Sequence, residues 1–70
     1  MPIAFAPSNT EMTVRKISAE DKVRKHLQEL GITVGGKITL LSSVSGNVIV
    51  LVKEGRLCLD KTLAGRILVS

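Results

Sequence analysis

The stretch from Ser18 to Gly36 constrains the fold more than any other part of this chain. Ser18 and the acidic Asp21 are typical of a helix start, because a serine oxygen accepts a first-turn N–H and acidic groups suit the positive helix end. Gly31 supplies the left-handed residue that commonly ends a helix. We therefore predict one helix over residues 19–30, followed by a sharp turn at Gly35–Gly36. Its buried face, at helical spacing, consists of Val23, Leu27 and Leu30.

Short strands precede and follow this helix. They are indicated by alternating apolar residues that are bounded by turn residues. The segment Lys61–Gly65 fits a single helical turn, and the polar segment Ser42–Asn47 is predicted to be a loop. The pattern indicates a mainly β domain of about five antiparallel strands with one α-helix inserted after the first strand. The predicted strands are Glu11–Ile17, with a bulge at Arg15–Lys16, then Lys37–Ser43, Val48–Lys53, Arg56–Asp60 and Arg66–Val69.

The hairpin made by the third and fourth predicted strands separates its side chains into two faces. With Glu54–Gly55 as the turn, Val52 lies opposite Leu57 and Leu51 lies opposite Cys58. Cross-strand partners share a face, and successive residues alternate between faces. A one-residue slip would bury two cations, so the register is predicted to be well determined. The wholly apolar face, predicted to be the core, consists of Val50, Val52, Leu57 and Leu59.

The opposite face of the hairpin carries three apolar residues, Ile49, Leu51 and Cys58, which we call the outer patch. Two cations, Lys53 and Arg56, rim it. The outer patch can be covered by the helix, be covered by a second chain, or stay in water. Three adjacent apolar residues in so small a domain indicate a contact surface. We therefore predict that the outer patch and its two cations bind a partner or a second copy of the chain.

Length and composition limit the kind of protein. The 70 residues fit one domain, predicted over 11–70, after an irregular lead-in over 1–10 that holds both prolines. A single cysteine excludes an internal disulfide and suits a reducing compartment. The longest apolar run, Val48–Val52, is far shorter than the ~20 residues that span a bilayer. No secretory signal is visible. We predict a cytoplasmic protein that does not insert into a membrane.

The sequence contains no pattern typical of catalysis or of a metal site. The candidate ligands His26, Glu54, Cys58 and Asp60 lack a spacing such as Cys-x-x-Cys or His-x-x-x-His. Nothing brings the single cysteine and the single histidine together as a nucleophile and its base. The paired glycines follow a helix, whereas phosphate sites use a helix start. We predict a binding module that is not an enzyme and has no cofactor.

The net charge of +4 suits an acidic partner. However, the ten basic residues are spread from Arg15 to Arg66, and their one cluster, at 22–25, lies among acidic residues as on an ordinary solvated helix face. Small barrels that bind nucleic acid combine basic grooves with aromatic platforms. The only aromatic residue here is Phe5, in the lead-in. Nucleic-acid binding is therefore the alternative, and a steep salt dependence would reveal it.

The order of these elements resembles the FeoA family, ferrous iron transport protein A. Leu27–Gly35 fits the family pattern Leu-x-x-Leu-Gly-hydrophobic-x-x-Gly, and the resemblance extends from about Met12 to Val69. The order and spacing of the motifs together make it specific. It departs from the family at Phe5–Asn9, which lacks a Pro-Gly pair, and at Gly46–Val48, where members often have Gly-Asp-Pro. The other matching segments are Lys37–Leu41, Gly46–Asn47, Arg56–Leu59, Ala64 and Ile67–Val69.

The resemblance implies an SH3-like small β-barrel. It also implies a cytosolic accessory protein of bacterial ferrous iron uptake, whose partner is FeoB, a membrane permease with a GTP-binding domain. Similar domains occur at the C-terminus of metal-responsive repressors of the DtxR type, so an accessory domain of such a regulator is a second interpretation. The family has no established catalytic residues. The outer patch, with Lys53 and Arg56, is then the predicted contact surface for the permease.

Overall fold

The computed structural model describes every residue from Met1 to Ser70 and contains one sheet. Its elements are a 3-10 helix at Ile3–Phe5, then β1 (Glu11–Ile17), α1 (Asp21–Glu29), β2 (Lys37–Val44), β3 (Asn47–Val52), β4 (Gly55–Leu59), α2 (Lys61–Ala64) and β5 (Ile67–Val69). The strands run antiparallel in the order β4-β3-β2-β1-β5, so β4 and β5 are the two edges. The predicted fold class, a mainly β domain of five antiparallel strands with a helix after the first, is confirmed.

One aliphatic face of every strand contributes to a single core, because side chains alternate between the two faces of a strand. Along β3, Val48, Val50 and Val52 are buried, whereas Ile49 and Leu51 between them are exposed. No polar or charged residue is buried, so the core carries no desolvated charge. The buried residues are Ile3, Ala6, Val14, Ile17, Leu27, Ile32, Ile38, Leu40, Val48, Val50, Val52, Leu59, Ala64, Ile67 and Val69.

The strand β1 has the predicted bounds and the predicted bulge. Its register against β5 shifts between Val14 and Lys16. Val14 and Ile17 are three residues apart, a spacing that would put them on opposite faces of a regular strand. Because the bulge inserts one extra residue, both side chains enter the core.

The helix α1 is shorter than the predicted 19–30. It starts after Glu20, which makes no side-chain cap, rather than after Ser18. The N–H of Ser18 instead donates to the carbonyl of Arg66 at 2.7 Å, which extends the pairing of β1 with β5. The predicted serine cap is therefore wrong, because Ser18 extends the β1–β5 pairing instead of starting the helix. Of the predicted buried face only Leu27 is fully buried, while Val23 and Leu30 are partly exposed.

Gly31 ends α1 as predicted, with a φ of +98°. The N–H of Gly31 donates to the carbonyl of Gln28 at 3.0 Å, and the N–H of Ile32 donates to that of Leu27 at 2.9 Å. These two bonds and the buried pair Leu27 and Ile32 form a Schellman motif. A Cβ added to Gly31 would lie 3.2 Å from Cγ of Glu54, so the backbone here is also close to the β3–β4 turn.

Replacing Gly31 by alanine is expected to lower the free energy of unfolding by about 1–2 kcal/mol, because an L-residue is strained in the left-handed region. Gly31→Asn should cost less, since asparagine enters that region more readily than alanine. Urea unfolding of the three proteins measures both changes. Equal stability of the alanine variant and the wild type would contradict this account of the helix end.

The connection between β2 and β3 differs from the predicted loop over Ser42–Asn47. The strands continue to a two-residue turn at Ser45–Gly46, whose φ angles are +53° and +86°. Positive φ at both positions is the type I′ geometry that matches the twist of a hairpin. This end of β2 is exposed and carries polar residues, which led to the prediction of a loop in place of a strand.

The connection between β3 and β4 turns at Lys53–Glu54, one residue before the predicted turn. Leu51 therefore lies opposite Arg56 rather than Cys58, and every β3 residue is paired with a β4 residue two positions earlier than predicted. The predicted register was wrong, yet a two-residue shift leaves each side chain on its face. Gly55 follows the turn with a φ of +124°. Val50, Val52 and Leu59 are buried as predicted, and Leu57 is partly buried.

Two residues of the lead-in, which was predicted to be irregular or frayed, pack into the same core. Ile3 is fully buried within the 3-10 helix, and Ala6 is also buried. The ammonium of Met1 donates to the carbonyl of Val69 at 2.9 Å, and the N–H of Val69 donates to the carbonyl of Met1 at 2.7 Å. Pro2 forms a bridge with Leu68. This segment therefore covers the outer edge of β5.

Candidate functional site

The outer patch lies on the exposed face of the β3–β4 hairpin. Ile49 and Cys58 are direct cross-strand partners, and Leu51 is two residues along β3 on the same face. The side chains of Ile49 and Leu51 are 38% and 44% exposed, and Cys58 is exposed as well. The sequence left three possibilities for the outer patch: cover by the helix, cover by a second chain, or exposure to water. Cover by the helix is excluded, because α1 does not shield these side chains.

The two predicted cations flank the outer patch as the sequence indicated. Arg56 lies opposite Leu51, and Lys53 is the first residue of the adjoining turn. Neither side chain makes an ion pair, since the single ion pair in the protein joins Arg24 to Asp21. Lys53 and Arg56 therefore offer two uncompensated positive charges beside exposed aliphatic surface. This combination of an apolar centre and a polar rim is typical of a protein contact.

A shallow groove of about 560 Å³ continues the outer patch toward the β2–β3 turn. Val44, 71% exposed, belongs to it and was missed by the sequence analysis, which placed it in a loop. The available signal was that the apolar Val44 lies four residues after Leu40, a spacing that puts both on one face of a regular strand. The bulge between Leu40 and Ser42 instead leaves Leu40 in the core and Val44 on the outer face. The apolar residues at 44, 49 and 58 thus line one continuous surface.

The end of the groove is fixed by α2. Asp60 caps this short helix, its Oδ1 accepting the N–H of Leu63 at 2.9 Å. The side-chain Oδ1 of Asn47 accepts the N–H of Lys61 at 2.8 Å, which ties the β2–β3 turn to the same helix. These two local bonds use residue types that favour capping positions. They tie the β2–β3 turn and the end of β4 to α2 at one end of the groove.

A second groove, of about 810 Å³, runs beside α1. It is lined by Lys22, Arg24 and Lys25 together with the exposed Val34, and Asp21 pairs with Arg24 there. This mixture of charges is typical of a solvated helix face. No group of three or more His, Cys, Asp and Glu side chains lies close enough to hold a metal ion. None of the helices has both the length and the apolar character needed to cross a bilayer.

Comparison with known proteins gives consistent matches over the whole chain. A family model described as FeoA domain matches residues 1–70. The chain is 32% identical over 69 residues to an inferred Fe(2+) transport protein A of Methanocaldococcus jannaschii, covering 99% of this chain and 84% of that protein.

Solved structures of similar proteins share this fold. The crystal structure of an iron uptake regulatory protein (FeoA) matches with a TM-score of 0.88 and 28% identity, over 99% of this chain and 93% of that one. An NMR structure of a FeoA-like protein from Clostridium acetobutylicum matches with a TM-score of 0.81 and 24% identity, over 100% of this chain and 84% of that one. ScaR with bound Zn²⁺ shares the fold at a TM-score of 0.83 and 18% identity, with this chain covering 36% of that longer protein.

Proposed function

The chain belongs to the FeoA domain family, and on this premise we propose that it is a cytosolic, non-catalytic accessory protein that docks on a FeoB-type permease. Family members take part in ferrous iron transport, and their structures share the small SH3-like fold described above. The proposed partner is a membrane permease for ferrous iron with a GTP-binding domain on its cytosolic side. Docking would support or regulate iron entry.

The outer patch is the observation that carries this proposal. Exposed aliphatic side chains adjoin free cations there, and their strands are paired in a hairpin. Burial of Ile49 and Leu51 would supply the affinity, at roughly 25 cal/mol per Å² of apolar surface. Lys53 and Arg56 would orient the complex toward an acidic rim on the partner and speed association. A contact centred on these few exposed side chains suits a weak, reversible complex.

Leu51→Glu is expected to raise the dissociation constant for the purified permease at least about tenfold, because it places a charge at the centre of the contact. Val34→Glu is the matched control, since Val34 is 62% exposed and lies in the connection between α1 and β2, outside the outer patch. Biolayer interferometry with the permease in lipid nanodiscs measures both. The two variants should melt at the wild-type temperature. Equal affinity of Leu51→Glu and wild type would remove the outer patch from the proposed interface.

The same assay separates the permease from a nucleic acid as the partner. Arg56→Ala should weaken the permease complex moderately and make it less dependent on salt. If the chain instead bound single-stranded DNA or RNA with a steep salt dependence, and left the permease unbound, the proposal would be wrong.

A further inference from the structure

The two edges of the sheet differ in how far the rest of the chain covers them. Met1 and Pro2 cover the edge of β5. The edge of β4 has no such cover, because the elements that pack against this strand are β3 and the four-residue α2. Outside the β3–β4 ladder, no backbone hydrogen bond involves a residue from 55 to 59. An unpaired edge of this kind is a template for another strand.

The pairing with β3 shows which groups point out of this edge. Val52 and Gly55 close the two-residue turn, and such a closing pair is joined by its own backbone hydrogen bonds. In an antiparallel ladder, alternate residues turn their N–H and C=O groups toward the partner strand and away from it. Leu57 and Leu59 therefore turn these groups toward β3. Arg56 and Cys58 turn theirs outward. The N–H of the extended Asp60 continues the same alternation, whereas its carbonyl accepts the N–H of Ala64 at 2.8 Å.

We propose that the β4 edge is a dimerisation site, where β4 of a second copy adds antiparallel so that Cys58 lies opposite Cys58 and Arg56 lies opposite Asp60. Outward-facing residues must oppose outward-facing residues, so the pair is centred on one residue from 56 to 60. A centre on Leu57 or Leu59 places Cys58 opposite Arg56 or Asp60 and forms no opposite-charge pair. Centring the pair on Arg56 or on Asp60 puts like charges opposite each other, which is destabilising. Centring it on Cys58 forms two opposite-charge pairs, related by the two-fold axis, and it also places Leu57 opposite Leu59.

This arrangement fits the side chains on both faces of the extended sheet. On the core side, Leu57 is only partly buried in one copy and is covered further by the added strand. On the outer side, the two-fold axis stands perpendicular to the sheet, so the outer patches of both copies lie on one face and join through Cys58. The carboxylate of Asp60 uses Oδ1 for the cap of α2 and keeps Oδ2 for the guanidinium of Arg56.

Charge reversal tests this register directly. Arg56→Glu and Asp60→Lys should each raise the dimer dissociation constant about tenfold, because each variant places two like-charge pairs across the interface. Mixing the two variants should restore dimers, since the introduced carboxylate of one chain then faces the introduced ammonium of the other, while the second pair is native. Sedimentation velocity over a concentration series measures all four samples. A wild type that stays monomeric up to its solubility limit, or a mixture that does not associate, would overturn the proposal.

Two controls distinguish loss of the dimer from loss of the fold. Asp60→Lys removes the cap of α2, so its melting curve is recorded first. Cys58→Pro leaves the bonds to β3 intact because the N–H it removes points outward, and it should abolish dimers while retaining the sheet. A folded, fully dimeric Cys58→Pro variant would also contradict the proposed edge.

Cross-linking with a short bismaleimide gives an independent readout. Wild-type chains should be joined rapidly through Cys58. A Cys58→Ser, Val34→Cys control places its thiol at an exposed site between α1 and β2, outside the proposed interface, and should react slowly. Equal rates for both would show only random collisions and would count against the dimer. These experiments contain no permease, so their outcome is separate from that of the proposed docking function.

Discussion

Leu59→Ala is expected to lower the free energy of unfolding by about 2–5 kcal/mol, the range for truncating a fully buried leucine. The side chain of Leu59 is 3% exposed and lies in the core at the end of β4, opposite Val48. The lost apolar contact and the cavity left behind both contribute. In a domain of this size, that change lowers the melting temperature by on the order of 8–40 °C. Urea unfolding followed by circular dichroism measures the effect.

Leu51→Ala is the matched control for this prediction. It removes the same atoms from the neighbouring strand, but its side chain is exposed on the other face of the hairpin. Exposed substitutions generally change stability by less than about 0.5 kcal/mol. If Leu51→Ala were the more destabilising of the two, the assignment of inner and outer faces would be wrong, and the outer patch with it.

Ile3→Ala is expected to cost about 2–5 kcal/mol as well. Ile3 is fully buried although it lies in a segment that the sequence marked as irregular. Its removal would open a cavity under the 3-10 helix and loosen the segment that covers the edge of β5. Thermal unfolding measures the loss, and the amide of Val69, which bonds to the carbonyl of Met1, should exchange faster with solvent.

Phe5→Ala supplies the comparison within the same short helix. Phe5 is larger than Ile3, yet its side chain is 78% exposed. Its truncation should therefore leave the melting temperature nearly unchanged. The opposite ranking of the two variants would mean that the first residues do not pack as the structure has them.

The face assignment of the hairpin was predictable, and its register was not. Faces depend on the alternation of apolar and charged residues, and a one-residue slip would have buried Lys53 and Arg56. A slip of two residues keeps every side chain on its face, so hydrophobic patterning cannot detect it. Only the turn distinguishes the two registers, and Gly55 fits either as a turn residue or, as found, as the residue that follows the turn with a positive φ.

Two other features depended on contacts between distant parts of the chain. Ser18 looked like a helix cap because its local sequence favours one, but Arg66 is 48 residues away and takes its N–H into the sheet. The burial of Ile3 likewise depends on β5, at the far end of the chain. Local propensity describes neither contact.

The candidate site was predicted to the extent that it follows from alternation. Ile49, Leu51 and Cys58 share the exposed face of the hairpin, with Lys53 and Arg56 beside them, and the binding role of these five residues stays a prediction. Val44 was missed because a bulge separates it from the regular part of β2. The open edge of β4 became visible only with the strand order, which the sequence did not specify.

The covering of β5 by Met1 and Pro2 limits how many copies of the chain can associate through their sheet edges. A sheet with two free edges can add copies at both sides and polymerise without end, as amyloid-forming chains do. Here one side is already occupied by the chain's own backbone. Association through β4 therefore consumes the last free edge of both molecules, and the assembly terminates at two copies instead of propagating into a fibre.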